Sequence, residues 1–363
     1  MRTSRLRRPE RTPVRVAAVA ATAVLLTALT PTGAAQAAPG IPAAPPSTGS
    51  SAEQAAGSAN TLGQNVAGQV SGTGIGPSVL TGPGTGPARY VALGDSYAAV
   101  GRVAPGSWGA GPVACVRTDD AYPTVVAREL GAGTFVNATC GGAVADDFSE
   151  TGRTGAPPQF DALDARTDLV TMTIGGNDAG FAAVILACAL RPNVAPEFLP
   201  AVDAATGTIT EDFDTTTGCA DVIDRQAAQA LETLDGRMDS VYAEIARRSP
   251  DARVVTVGYL SAMPDDQTVV ASPDCAPFLA ISEAERDKVR GFQESINRVV
   301  RDAAERNGAT VVIPDEPGHS MCTPAETRWV DLTGLQTASV PVHPTSAGHA
   351  HVADRVLAAL AQG

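Results

Sequence analysis

Four short segments carry side chains suited to acyl transfer, and each sits beside an apolar run or a helical stretch. Gly94-Asp95-Ser96-Tyr97 follows residues 90–93, and Asn137 with Gly142 follows residues 134–136. Gly175-Gly176-Asn177-Asp178 follows residues 169–174, and His343-Pro344 stands ahead of the last helical stretch. A serine hydroxyl attacks a carbonyl only when a positioned base takes its proton, so Ser96 needs a partner. His343 can be that base if its second ring nitrogen is held by an acceptor. The N–H groups of Ser96 and Gly142, with the Asn177 carboxamide, can hold the oxyanion that develops. One such donor contributes about 2.7–4 kcal/mol to a transition state. Each segment alone has a plainer reading: Ser96 as a turn residue capping a helix, Gly141-Gly142 as a turn, Asn177 as an N-cap. Together they supply the parts of one site.

The other three histidines have weaker claims. His319 lies in a Pro/Gly-rich loop, and His349 and His351 fall on the final helix as packing or surface residues. A His343/His349/His351 metal site lacks an acidic or cysteine ligand to complete it, so no metal and no cofactor is expected. The pentapeptide Gly94-Asp95-Ser96-Tyr97-Ala98 is not the G-x-S-x-G elbow of α/β-hydrolases.

Positioning such groups requires an alternation of strands and helices. Near-continuous β-branched runs at 90–93, 134–136, 169–174, 254–257 and 310–313 suit strands buried on both faces of a parallel sheet. Helical patterns occupy 121–130, 221–248 and 282–307, the last opening with the capping-box spacing Ser282…Glu285. A doubly wound sheet binds its ligands beyond the carboxyl ends of its strands, where the four segments lie.

These segments resemble the blocks of the SGNH hydrolases, the GDSL-like esterase/lipase family. The four come in family order from about Val91 to Gly348. The resemblance implies a three-layer α/β/α fold of flavodoxin-like type with a mostly parallel five-stranded sheet. It implies a carboxylic ester hydrolase with Ser96 as nucleophile, His343 as general base, and Ser96, Gly142 and Asn177 as the oxyanion hole. In most of the family an Asp stands three residues before the histidine; here that residue is Val340. The expectation is therefore a Ser96–His343 dyad oriented by the Val340 backbone carbonyl, with Asp331 as a more distant acid that could assist.

The substrate expected is a small-molecule or lipid ester; an O-acetylated sugar, or an exported binding protein on the same scaffold, is the alternative. Residues 181–217, rich in Ala, Pro and Thr, have two readings, as the lining of an acyl groove or equally as core.

Bulk features fit an exported protein of 363 residues. Six arginines precede the apolar run 16–29, and Ala35-Gln36-Ala37 follows it, which reads as a signal peptide over 1–37. The run falls short of the roughly 20 residues of a membrane span, so no stable membrane anchor is expected. Residues 38–88, rich in Ala, Gly, Ser, Thr and Pro, read as a flexible linker or pro-segment, leaving 89–363 as the hydrolase domain. The formal net charge is −13; removing the leader's six Arg and one Glu, a net +5, leaves −18 for the remainder. So acidic a body repels nucleic acid, and a secreted monomer is expected.

Six cysteines without a C-x-x-C pair suit disulfides in an oxidising compartment, among 15 possible connectivities. They also resemble the layout of secreted actinobacterial lipases and esterases of this family, which implies Cys115–Cys140, Cys188–Cys219 and Cys275–Cys322.

Overall fold

The computed structural model describes residues 70–73, 75–103, 115–152, 155–185, 187–188, 191, 196–200, 212–264, 275 and 282–362. The expected signal peptide, most of the expected linker and much of 181–217 lie outside the described residues.

Among the described residues, ten strands and six principal helices follow one another. The strands are β1 (Val70–Thr73), β2 (Ser78–Thr81), β3 (Arg89–Gly94), β4 (Val116–Thr118), β5 (Thr134–Asn137), β6 (Leu169–Thr173), β7 (Arg253–Val257), β8 (Thr310–Val312), β9 (Val330–Asp331) and β10 (His343–Pro344). The helices are α1 (Ser96–Ala99), α2 (Tyr122–Leu130), α3 (Phe181–Ile185), α4 (Ala228–Arg248), α5 (Glu283–Arg306) and α6 (Ser346–Ala361). The central sheet runs β2-β5-β3-β6-β7-β8. Its last five strands are parallel neighbours, and the order of these five is the 2-1-3-4-5 of flavodoxin-like sheets.

The sheet therefore has six strands, not the five expected. The sixth is β2, antiparallel to β5, with Ser78 opposite Asn137 and Thr81 opposite Thr134. It comes from the stretch read as a flexible linker, and β1 from the same stretch pairs with β4. Composition hid both: a sheet edge needs few apolar side chains, because its pairing energy comes from the backbone. Val79 is in fact 59% exposed.

Alternation along the parallel strands builds the two outer layers. Tyr90 and Ala92 of β3 pack with Tyr122 and Val126 of α2, Ile296 of α5 and Val352 of α6. Val91 and Leu93 face the other way, onto Leu234, Met238 and Ile245 of α4. Helix α5 opens with the expected capping box, Ser282 Oγ accepting from the Glu285 N–H while the Glu285 carboxylate accepts from the Ser282 N–H. Both faces of β3 and β6 are thus sealed, and polar chemistry is left to the strand ends. The topological switch lies between β3 and β6, whose following residues are Ser96 and Asn177.

The three disulfides are Cys115–Cys140, Cys188–Cys219 and Cys275–Cys322, the pairing implied by the resemblance.

Candidate active site

Ser96 opens α1 directly after β3. Asp95 caps this turn, its Oδ1 accepting from the Tyr97 N–H at 2.9 Å. Gly94 is held on both sides by the buried Gln159, which accepts from the Gly94 N–H at 2.7 Å and donates to its carbonyl at 2.9 Å. The serine is thereby fixed at the end of a strand by its neighbours' backbone bonds.

His343 reaches it from 247 positions later, with Nε2 2.7 Å from Ser96 Oγ. Its Nδ1 lies 2.7 Å from the carbonyl of Pro341. A carbonyl can only accept, so Nδ1 carries the proton and the Nε2 lone pair faces the serine hydroxyl. Burial drives the half-buried imidazole down to about 4, against the opposing pull of the Pro341 carbonyl, so it is a neutral acceptor at pH 7.

The orienting carbonyl is Pro341, not the expected Val340. The Val340 carbonyl instead accepts the backbone N–H of His343 at 3.1 Å. The shift of one residue follows from Val342, which sits at φ +60, a left-handed conformation that a β-branched residue rarely adopts. This costs about 1–3 kcal/mol. Two bonds hold it there: the Val342 N–H donates to Asp331 O at 2.6 Å, and the Tyr97 hydroxyl donates to Val342 O at 2.7 Å.

Asp331 lies opposite His343 in the β9–β10 pair, but its carboxylate turns away. It accepts from Thr337 Oγ1 at 2.8 Å and the Thr333 N–H at 3.1 Å, with the Arg328 guanidinium at 3.4 Å. It supports the histidine loop through its backbone and does not take the place of a triad acid.

The donors expected for an oxyanion come from the next two blocks. Asn137 Oδ1 accepts from the Thr139 N–H at 3.1 Å, and the Cys140 N–H donates to Gly94 O at 2.9 Å, which ties the second block to the first. Gly142 follows at φ +75, exposed, with nothing within 4 Å of where a Cβ would stand. Asn177 Nδ2 donates one proton to Ala143 O at 2.9 Å and keeps its second. Asp178 beside it accepts from the Ala145 N–H at 3.0 Å and lies 3.4 Å from Arg237. Burial raises Asp178 to about 6 against those two bonds. Among the turn and loop hydrogen bonds of the described residues, the N–H groups of Ser96 and Gly142 have no acceptor. Two free amides and a half-used carboxamide beside a serine–imidazole pair can stabilise a tetrahedral oxyanion.

Tyr259, immediately after β7, was not among the residues singled out. Its hydroxyl donates to Asp95 Oδ2 at 2.5 Å and accepts the Gly176 N–H at 2.7 Å. Gly176 passes so close that a Cβ there would stand 3.0 Å from the Tyr259 ring and hydroxyl. The signal was present: Gly258-Tyr259 follows the fourth parallel strand, the kind of position that the sheet rule marks.

The remaining histidines are structural. His349 is fully buried, accepting the Tyr122 N–H at 3.1 Å and bonding Val100 O at 2.9 Å. His319 and His351 stack on opposite faces of Trp329, each 3.8 Å from its ring. No cluster of metal-ligating side chains occurs among the described residues.

A family model described as GDSL-like Lipase/Acylhydrolase matches residues 92–351. The chain belongs to that family. It is 34% identical over 274 residues to Lipase 2 of Streptomyces coelicolor, covering 74% of this chain and 84% of the relative. Among solved structures, it matches phospholipase A1 from Streptomyces albidoflavus with a TM-score of 0.54 at 30% identity, covering 76% and 99% of the two chains. The extracellular lipase from Streptomyces rimosus gives a TM-score of 0.54 at 27% identity, covering 76% and 98%. This GDSL-like acylhydrolase is a carboxylic ester hydrolase, with the SGNH fold seen in those structures.

Proposed function

We propose that this chain is a secreted lipase or esterase that works through an acyl-enzyme on Ser96. His343 Nε2 takes the Ser96 proton as Oγ attacks the ester carbonyl. The Ser96 and Gly142 N–H groups and Asn177 Nδ2 hold the oxyanion, and His343 then passes the proton to the leaving alcohol. Water, deprotonated by the same imidazole, releases the carboxylic acid and restores the serine.

The 2.7 Å approach of His343 Nε2 to Ser96 Oγ, with Nδ1 fixed on a carbonyl, carries this reading. A carbonyl orients the ring but stabilises imidazolium less than a carboxylate would. Catalysis then leans on the oxyanion donors. Lipid esters are the favoured substrates, since the relatives and neighbours include proteins named lipase and phospholipase A1. Secretion is supported by the basic leader with its Ala35-Gln36-Ala37 site and by three disulfides. No described helix is long and apolar enough to cross a membrane.

Purified Ser96→Ala protein should keep the wild-type circular dichroism spectrum and lose hydrolysis of p-nitrophenyl esters of any chain length. Turnover retained by that variant would remove Ser96 from the mechanism.

A further inference from the structure

The acyl-transfer steps leave one buried titratable group beside the nucleophile without a part. Asp95 is 1% exposed, and among the described residues no cation pairs with it. Its carboxylate is held by the Tyr97 N–H on Oδ1 and the Tyr259 hydroxyl on Oδ2. The titratable groups that face it are Asp178 after β6, Tyr97 on α1, Tyr122 on α2 and Tyr259 after β7.

We propose that Tyr259 is a positioning residue of the ester-hydrolysing site, its hydroxyl being the strut that fixes Gly176, and with it the Asn177 donor, against the Asp95–Ser96 turn. The inference rests on the oxyanion-hole reading given above.

The strut is anchored at its base. The buried Asn297 of α5 accepts the Tyr259 N–H at 2.8 Å and donates to the Tyr259 carbonyl at 2.9 Å. Its ring meets Tyr97 edge-on at 5.0 Å between centroids. At the tip, one oxygen joins two blocks separated by some eighty residues in sequence. Gly176 can approach that oxygen only because it has no side chain.

Hydrogen bonding also fixes the charge the strut requires. The Gly176 N–H donates into the Tyr259 oxygen, so the phenolic proton must point at Asp95. Ionised Asp95 satisfies every partner. If Asp95 is protonated and donates to Tyr259, the phenolic proton has no acceptor left. A proton on Oδ1 would face the Tyr97 N–H and find no acceptor, so the full set of bonds is complete only with Asp95 charged, although burial raises that carboxyl to about 7. An acid limb in kcat belonging to Asp95 follows, above any belonging to His343.

The test is steady-state kinetics of Tyr259→Phe across pH, normalised to the concentration of protein that takes up a fluorophosphonate. Removing the hydroxyl unpairs both Gly176 N–H and Asp95 Oδ2. The expected result is a roughly 10–100-fold fall in kcat, as for a weakened oxyanion donor. KM should change little, and the Asp95 acid limb should disappear from kcat, because the hydroxyl that links Asp95 to Gly176 is gone. Unchanged kcat would overturn the proposal, and so would a fall with that limb still in place, which marks Tyr259 as merely structural. Should Tyr259→Phe fail to fold, 3-fluorotyrosine placed at 259 decides the matter. It is a stronger donor of the same shape, and should move the limb to lower pH; a limb that stays put overturns the strut. Ser96→Ala is measured alongside: its survival would sink the nucleophile reading, whereas inactive Ser96→Ala with wild-type kcat in Tyr259→Phe would sink only the strut.

Discussion

The Tyr97 hydroxyl donates at 2.7 Å to the carbonyl of Val342, which lies 245 positions away in sequence. This bond joins the residue after Ser96 to the residue before His343, and it closes on a strained peptide. Loss of the bond in Tyr97→Phe should cost about 1 kcal/mol of stability. Val342 would then relax out of its left-handed conformation and His343 would drift from Ser96. Activity should therefore fall by about tenfold, more than so small a loss of stability explains, as chemical denaturation and kcat measured on one preparation would show.

Val340 separates side chain from backbone. Its side chain packs on Ala99, Val100 and Val103, while the histidine is oriented by the next carbonyl along. Val340→Ala should thus lose about 1–2 kcal/mol of packing and keep kcat within a few-fold at a temperature where it is folded. A thousandfold loss of kcat without unfolding would mean that the loop's backbone depends on that side chain.

Buried carboxyls give stability an unusual dependence on pH. Asp95 ionises at 3.8 when unfolded and at about 7 when folded. Between those values the folded state holds the extra proton, so Asp95 stabilises below 3.8, and its contribution declines as pH rises through about 7. His343, depressed to about 4, acts in the opposite sense over part of that window, so only a difference isolates Asp95. Relative to wild type, Asp95→Asn should gain stability steadily as pH is raised from 4 to 7, read as the change in Tm between the two proteins. A flat difference would mean that Asp95 is not desolvated.

Cys115–Cys140 joins the entry to β4 with the segment leading to Gly142. Closing a loop of 25 residues contributes about 3–4 kcal/mol through the unfolded state. The double variant Cys115→Ser/Cys140→Ser should show that loss in thermal unfolding. Its residual activity should fall further than stability requires, because the Gly142 donor loses its tether.

Much of this was legible in the sequence because the chemistry sits at strand ends. All five expected parallel strands formed, and the runs at 90–93 and 169–174 placed Ser96 and Asn177 at the switch point. What escaped was set by tertiary contact. β2 is held by backbone pairing in a stretch of weak apolar content. Pro341 replaced Val340 because of one left-handed residue that no local pattern announces. Tyr259 and Gln159 act through buried hydroxyl and amide groups, and periodicity reports burial without reporting which polar atom will need a partner.

The central claim is that His343 activates Ser96. It is tested most directly by the second-order rate of fluorophosphonate labelling, with the modified residue located by mass spectrometry. Wild-type protein should take up one label on Ser96, and His343→Ala, folded to the same Tm, should label at least a thousandfold more slowly, in keeping with the loss of a positioned base. A label found on another residue, or an undiminished rate in His343→Ala, would contradict the account.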